Sequence, residues 1–212
     1  KKIQKKIFII AEAGVNHNGN IRHAKKLIDV ASKSKADAIK FQTFITEEIV
    51  TKKAKKADYQ IKNTNKNENQ FSMIKKYELS FREFEILKKY AKKKNIEFMT
   101  TAFDLKSLKF IKNQNLKKLK ISSGENNNFP LIKEIAKLGK KTILSTGMSN
   151  IKDIKKCLSI LNKYGLKKNK ITILHCTTDY PVKSENINLL AINDIKKNFP
   201  GYEIGFSDHS LG

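Results

Sequence analysis

Two lysines lie inside short apolar stretches, where a charged side chain is unusual. Lys40 falls within Ala38–Gln42 and Lys120 within Lys118–Ile121. An ammonium group that points inward is unfavourable unless an anion pairs with it. Together with nearby hydroxyls these lysines would form a pocket that binds a phosphate or a carboxylate. The candidate hydroxyls are Thr101, Ser123 and Ser145. For each lysine the alternative is a side chain that points outward past the end of a strand.

Two carboxylates, Glu12 and Glu125, follow or end similar stretches. They could transfer protons or bind sugar hydroxyls, and the alternative is that they pair with the same lysines. His209, beside Asp208, could ligate a divalent metal, although a lone histidine is more often not a ligand.

The remaining histidines and the cysteines indicate structural roles. His175 lies within a strand-like stretch and His17 within a turn. Cys157 falls on a helical apolar stripe and is expected in the core. Cys176 lies near the candidate residues, but no base accompanies it, so a nucleophile is not favoured.

The elements that must position these residues alternate along the whole chain. Apolar, β-branched runs predict seven strands: Ile7–Ala11, Ala38–Gln42, Ile96–Thr100, Lys118–Ile121, Thr142–Ser145, Ile171–His175 and Glu203–Phe206. Six stretches with helical periodicity lie between or beside them. This alternation predicts a parallel α/β sheet. We expect a TIM (β/α)₈ barrel over residues 1–212, cut short after about the seventh strand.

The alternative fold is an open doubly wound sheet, but its glycine-rich phosphate-binding turn is missing after the first strand. In a barrel the carboxyl ends of the strands build the active site, and polar residues follow each predicted strand. The polar stretch Glu47–Leu79 would be a long insertion over that face, or simply a solvated loop.

Composition excludes several other classes of protein. The chain has 44 Lys+Arg and 20 Asp+Glu, giving a net charge of +24. Only Arg22 and Arg82 are arginines, and no cluster of arginines and aromatic residues favours nucleic-acid binding. The apolar runs are too short for a membrane span. Two cysteines cannot form a disulfide framework, so we expect a reducing, cytoplasmic setting.

An ordered set of segments resembles the sialic acid synthase family. The segments are IIAEAGVNHNG (9–19), IKFQTF (39–44), ADYQIKNT (57–64), TTAFD (100–104), KISSGE (120–125), LSTGM (144–148), ILHCTTDYP (173–181) and GFSDHSLG (205–212). The resemblance covers essentially the whole chain.

The resemblance implies an enzyme, a C–C bond-forming transferase that condenses phosphoenolpyruvate with an N-acetylated amino sugar, with Mn²⁺ or Mg²⁺ as cofactor. The main expectation is N-acetylmannosamine as acceptor and N-acetylneuraminate as product. The implied phosphoenolpyruvate contacts are Lys40, Thr101, Lys120, Ser123, Ser145 and Ser207. The implied sugar-side or proton-handling residues are Glu12, Gln42, Glu125 and Tyr180, with Thr178 a substrate contact where many relatives have Asn.

The resemblance further implies that His209 is the first of two metal-binding histidines. The second would lie on an eighth strand, and a C-terminal antifreeze-like domain would follow in a homodimer. One alternative is a legionaminic or pseudaminic acid synthase, which uses a 2,4-diacetamido-trideoxy sugar. Another is a barrel that binds an anion or a sugar without turnover.

Overall fold

The computed structural model describes residues 6–56 and 68–211. The described strands are β1 (Ile10–Gly14), β2 (Ala38–Thr43), β3 (Glu97–Ala102), β4 (Lys118–Ile121), β5 (Lys141–Ser145), β6 (Ile171–Cys176) and β7 (Glu203–Ser207). The described α-helices are α1 (Ile21–Lys33), α2 (Thr46–Ile49), α3 (Gln70–Lys75), α4 (Phe81–Lys93), α5 (Leu105–Asn113), α6 (Phe129–Lys137), α7 (Ile151–Lys163) and α8 (Ala191–Asn198).

Polar caps start most of the longer helices. Asn20, Asp104 and Asn128 each accept a hydrogen bond from a backbone N–H in the first turn. Ser80 and Asn150 form capping boxes with the acidic residues three positions later. Such caps satisfy N–H groups that the helix itself leaves free, which fixes where each helix leaves its loop.

The chain divides into two compact units, Lys1–Thr100 and Thr101–Gly212, with the boundary inside β3. In the first unit the strand order is β1-β2-β3. β1 and β2 are parallel, with Glu12 opposite Lys40 and an irregularity between Glu12 and Gly14. Helices α1 and α4 pack against each other in this unit.

In the second unit the order runs from the last residues of β3 through β4, β5, β6 and β7, and every pair is parallel. Residues that pair in register or alternate along a strand lie on one face of a sheet. One such face carries the buried residues Leu119, Ile121, Leu144 and Ile173. The buried core of this unit therefore lies between that face and helices such as α6 and α7, which pack together.

The sequence prediction placed the first strand at Ile7–Ala11, three residues too early. Ile7 is 78% exposed, and Ile9 donates its N–H to the Asp37 carboxylate rather than to a strand. β3 extends past the predicted Thr100 because the residues to Ala102 remain buried. The result is that Glu12 and Thr101 lie within strands rather than after them.

The insertion predicted over Glu47–Leu79 contains short helices, α2 and α3, in its described part. Glu78 accepts hydrogen bonds from the N–H and hydroxyl of Thr46 at 2.8 and 2.5 Å. Among the described residues, no helix has the length and apolar character that a membrane crossing requires.

Candidate active site

In the first unit, Lys40 and Glu12 form an ion pair across neighbouring strands. The Lys40 side chain is 4% exposed, and its Nζ lies 2.5 Å from Glu12 Oε2. Glu12 Oε1 accepts the Gly14 N–H at 2.9 Å. The inward lysine is thus neutralised by a carboxylate of its own chain, which is the alternative left open for Glu12. The alternative left open for Lys40, a side chain that points outward, is wrong because its side chain is buried.

Gln42 lies two residues beyond Lys40 on β2, so the two side chains share a face. A Cβ placed on Gly14 would lie 3.5 Å from Glu12 Oε1 and 3.7 Å from Gln42 Nε2. Glu12 and Gln42, two residues predicted for the site, therefore lie beside the Gly14 backbone, and Lys40 joins them through its ion pair with Glu12.

In the second unit, one face of the sheet carries most of the predicted anion contacts. Thr101 is opposite Lys120, and Lys120 is opposite Ile143, two residues before Ser145. Ser145 is opposite Leu174, two residues before Cys176, and Cys176 is opposite Ser207. Since register partners and alternate residues share a face, Thr101, Lys120, Ser145 and Ser207 project to the same side.

Hydroxyl groups converge where β4, β5 and β6 end. Ser123 Oγ accepts the Gly147 N–H at 2.9 Å and lies 3.2 Å from Cys176 Sγ. Ser145 Oγ and Thr178 Oγ1 are buried without a hydrogen-bond partner among the described residues. Because buried hydroxyls in proteins nearly always have a partner, both groups have capacity for one more hydrogen bond.

His209 follows β7 and is held in one orientation. Its Nδ1 lies 2.6 Å from the Thr177 carbonyl oxygen, which can only accept, so Nδ1 carries the proton and Nε2 keeps a lone pair. Nε2 lies 3.3 Å from Ser207 Oγ. The Tyr180 ring packs against the imidazole, with 4.3 Å between ring centroids.

That Nε2 lone pair suits a divalent metal, and a carbonyl that fixes the other ring nitrogen is the usual support for a histidine ligand. Asp208 is committed elsewhere: its carboxylate accepts from the Ser210 N–H and hydroxyl. These hydrogen bonds lower the pKa of the Asp208 carboxyl. Over residues 6–56 and 68–211, no cluster of three or more His, Cys, Asp or Glu could hold a metal. His209 stays a predicted ligand.

Glu125, predicted as a catalytic carboxylate, lies on the short 3₁₀ helix Ser123–Glu125. Its Oε2 accepts a 2.7 Å hydrogen bond from Asn128 Nδ2, and Asn128 also caps α6. The helix start therefore positions this carboxylate in the same loop as Ser123.

Three residues have the structural roles predicted for them. His175 is buried, with Nε2 at 2.7 Å from the Ile187 carbonyl oxygen, to which it donates. His17 is fully buried, and its Nδ1 accepts the Gly19 N–H at 3.1 Å. Cys157 is buried in α7, and burial raises the pKa of its thiol to about 12.

Two residues to which sequence reasoning assigned no role organise the second unit. Asn126 Nδ2 donates to the Ser145 carbonyl oxygen at 2.8 Å and to Ser149 Oγ at 2.6 Å, tying two loops together. Gly147 belongs to a quoted motif, but no role was assigned to it. The ADYQIKNT segment lies outside the described residues. In the described part of the insertion, Lys52, Lys53 and Lys55 are exposed.

Comparison with known proteins identifies relatives over nearly the whole chain. The N,N'-diacetyllegionaminic acid synthase of Campylobacter jejuni is 49% identical over 208 residues, 98% of this chain and 62% of the relative. The enzyme of the same name from Legionella pneumophila is 39% identical over 207 residues, 97% of this chain and 58% of the relative. The chain thus spans about three fifths of the length of these relatives.

A solved structure confirms the predicted fold class. The N-acetylneuraminic acid (sialic acid) synthetase of Leptospira borgpetersenii, crystallised with citrate, superposes with a TM-score of 0.84 at 34% identity. The match covers 98% of this chain and 67% of that one. The fold is a TIM-type β/α barrel, of which the described chain contains β1 to β7.

The family profile described as NeuB family matches residues 27–212, which include β2 to β7 and the second-unit cluster around Lys120 and Ser123. The family predicted from the ordered motifs is therefore confirmed by the sequence profile and by the solved fold. The chain belongs to the NeuB family.

Proposed function

We propose that the complete protein is a legionaminic acid synthase, which condenses phosphoenolpyruvate with a 2,4-diacetamido-trideoxy sugar. The observation that carries this proposal is the 49% identity to an N,N'-diacetyllegionaminic acid synthase. A second relative with the same name is 39% identical. These relatives favour this acceptor over N-acetylmannosamine, which the sequence analysis placed first.

In this proposal the polar face of the second unit binds the phosphoenolpyruvate anion. Lys120 supplies the charge, and the hydroxyls of Thr101, Ser123, Ser145 and Ser207 supply directed donors. An ammonium group beside several O–H donors is a favourable setting for phosphate or carboxylate oxygens. Lys40, already paired with Glu12 in the first unit, stays a phosphoenolpyruvate contact predicted from the family resemblance.

The proposed reaction forms one C–C bond and breaks one C–O bond. C3 of phosphoenolpyruvate attacks the aldehyde carbon of the open-chain sugar, and the aldehyde oxygen becomes a hydroxyl by gaining a proton. Water adds to C2, and the first proton that it loses balances the proton gained by the aldehyde oxygen. Phosphate then leaves with the C2–O bond electrons and takes up the remaining proton of the C2 hydroxyl, which gives the keto acid. Glu125 is the candidate to orient that water and accept its proton, because Asn128 fixes its carboxylate in the short 3₁₀ helix that also carries Ser123. Glu12 stays a second candidate.

His209 would hold a divalent metal, Mn²⁺ or Mg²⁺, through Nε2. When bound, such an ion acts as a Lewis acid that polarises a carbonyl oxygen. The contribution of this chain is to fix the imidazole: the Thr177 carbonyl sets the tautomer, and the Tyr180 ring packs on the imidazole face. Tyr180 is therefore proposed to position His209 as well as to line the sugar site.

The test uses the complete gene product with phosphoenolpyruvate and Mn²⁺. Parallel reactions contain the 2,4-diacetamido sugars or N-acetylmannosamine, and both phosphate release and nonulosonate formation are followed. Phosphate release that depends on a diacetamido sugar supports the proposal. Release that depends only on N-acetylmannosamine would identify a sialic acid synthase, the candidate favoured by the fold match to a sialic acid synthetase.

Lys120→Met tests the anion contact directly. Loss of a hydrogen bond to a charged group of about 1.5–3 kcal/mol raises the KM for phosphoenolpyruvate by roughly 10- to 150-fold. Lys118→Met is the matched control, because Lys118 lies two residues earlier on the same face of β4 and farther from the strand end. An unchanged KM in Lys120→Met refutes the assignment. A folded, metal-loaded protein that turns over no sugar would favour a barrel that only binds.

A predicted homodimer and a cytoplasmic location accompany this proposal. A C-terminal antifreeze-like domain and a second metal-binding histidine stay predictions from the family resemblance.

A further inference from the structure

Two groups from the following loop and strand, a backbone N–H and a thiol, meet at one hydroxyl in the second unit. Ser123 Oγ accepts the Gly147 N–H at 2.9 Å and lies 3.2 Å from Cys176 Sγ. Ser123 is half-buried, whereas Cys176 is 5% exposed. The hydroxyl is therefore partly accessible to solvent, whereas its thiol partner is almost fully buried.

The protons of this cluster can be assigned by counting. A serine hydroxyl has one proton and two acceptor positions. The Gly147 N–H can only donate, so it takes one acceptor position of Ser123 Oγ. The other position faces Cys176, whose thiol is both a weak donor and a weak acceptor. If the thiol donates, both acceptor positions are filled, and the serine proton must point away from the protein frame.

We propose that Cys176 is a positioning residue that turns Ser123 into an outward hydrogen-bond donor for the phosphoenolpyruvate anion. The inference rests on the proposed function of this site. Without an anion, the Ser123 hydroxyl donates its hydrogen bond to the Cys176 sulfur. With an anion bound, the serine proton turns to the ligand and the thiol donates its S–H into the vacated position, so no polar group loses its partner.

The frame around the thiol leaves it little freedom. A Cβ on Gly147 would lie 3.0 Å from Cys176 Sγ and 3.1 Å from the Cys176 carbonyl oxygen. The Gly147 backbone therefore packs directly against Cys176 while it donates to Ser123. Cys176 also pairs in register with Ser207 on β7, a neighbouring predicted contact for the same anion. Cys176 thus lies next to two of the residues with hydroxyls predicted to bind the anion, Ser123 through its side chain and Ser207 through the strand register.

The test compares Cys176→Ala, Cys176→Ser, Ser123→Ala and the double variant Ser123→Ala/Cys176→Ala in the complete gene product. The readouts are the KM and kcat in turnover and the Kd for phosphoenolpyruvate by calorimetry. Losing one neutral hydrogen bond predicts a rise of about two- to tenfold in KM and Kd for Cys176→Ala, with kcat nearly unchanged. Cys176→Ser, which keeps a donor and acceptor, restores the KM to within about threefold of the wild-type value.

The double variant separates positioning from simple packing. If Cys176 acts through Ser123, Cys176→Ala adds nothing to the KM once Ser123 is alanine. Cys157→Ala is the matched control, since this second buried cysteine lies in α7, away from the polar face. It is expected to lower the melting temperature without changing the KM.

Either of two results overturns the inference: a folded Cys176→Ala protein with unchanged KM and Kd, or an equal loss in the Ser123→Ala background. A Cys176→Ser variant as impaired as Cys176→Ala also contradicts it. Wild-type protein that does not bind phosphoenolpyruvate would overturn the proposed function, and this inference with it, so the two failures are distinguishable.

Discussion

Replacing Gly147 by alanine should disturb both the packing of the second unit and its proposed anion site. The added methyl group would lie 2.7 Å from Thr178 Oγ1, 3.0 Å from Cys176 Sγ and 3.1 Å from the Cys176 carbonyl oxygen. The threonine side chain can rotate, but the carbonyl oxygen belongs to β6, which pairs with β5 and β7. The Gly147 loop must therefore move away from β6.

The size of the effect follows from these contacts. Inserting a methyl group into a packed site typically destabilises by about 1–3 kcal/mol. For a chain of this size the melting temperature falls by roughly 2–4 °C per kcal/mol. The shift also lengthens the 2.9 Å hydrogen bond from Gly147 N–H to Ser123 Oγ. Losing that bond, worth about 1 kcal/mol, raises the KM for phosphoenolpyruvate about fivefold.

The assay combines thermal unfolding with steady-state kinetics at varied phosphoenolpyruvate. Gly139→Ala is the control: Gly139 has a φ of +61° with nothing within 4 Å of an added Cβ. Its left-handed conformation predicts a stability loss of about 1–2 kcal/mol, with no change in the KM. Gly147→Ala with wild-type stability and KM would refute the packing argument. Gly147→Ala/Thr178→Ala should recover only part of the melting temperature, since the Cys176 contacts remain.

Two further predictions concern the first unit. Burial lowers the pKa of His17 below its ordinary value of 6.5, so the unfolded chain binds the proton more readily than the folded protein. The contribution of neutral His17 to the free energy of unfolding should be complete above about pH 6.5 and fall as the pH drops below it. Urea unfolding should therefore show a smaller loss of stability between pH 7 and pH 5 for His17→Asn than for the wild-type protein. An equal loss in both proteins contradicts this prediction. Glu12→Gln removes the carboxylate that pairs with the buried Lys40 ammonium. We expect the free energy of unfolding to fall by about 1–3 kcal/mol, less than for a fully buried ion pair, because solvent screens the half-exposed Glu12. Chemical unfolding measures this change in stability. Glu12→Gln/Lys40→Met should be less destabilised than Glu12→Gln. If the double variant is as unstable as Glu12→Gln, the charge of Lys40 is not the cause.

The order of strands and helices was predictable because each signal is local. Strands such as β5 and β6 contain short apolar, β-branched runs that stand out from the lysine-rich surface. Helix starts are marked by side chains such as Asn150. The first strand was misplaced because Ile7–Ile9 has the same apolar character as a strand, although the structure leaves these residues exposed. Composition alone cannot show which part of an apolar run pairs with a neighbour.

The candidate residues were predicted by type and by position at strand ends, but their partners were not. Whether Glu12 handles protons or neutralises Lys40 depends on the parallel register of β1 and β2, which places the two residues opposite each other. The requirement for glycine at position 147 arises from Thr178 and Cys176, which are distant in sequence. Such effects of packing leave no local pattern in the sequence.

In the proposed second-unit site, one residue supplies affinity for the anion and another fixes the direction of a hydrogen bond, so each determines only part of the recognition. Lys120 is a flexible point charge that attracts an anion without fixing its orientation. Ser123 is different, because the Gly147 N–H and the Cys176 thiol constrain the direction of its proton. Neither feature distinguishes one amino sugar from another. Loss of Lys120 should therefore raise the KM for phosphoenolpyruvate by the same factor with every acceptor, and the choice of acceptor must depend on other residues, for which Glu125 and Tyr180 are the candidates in this unit.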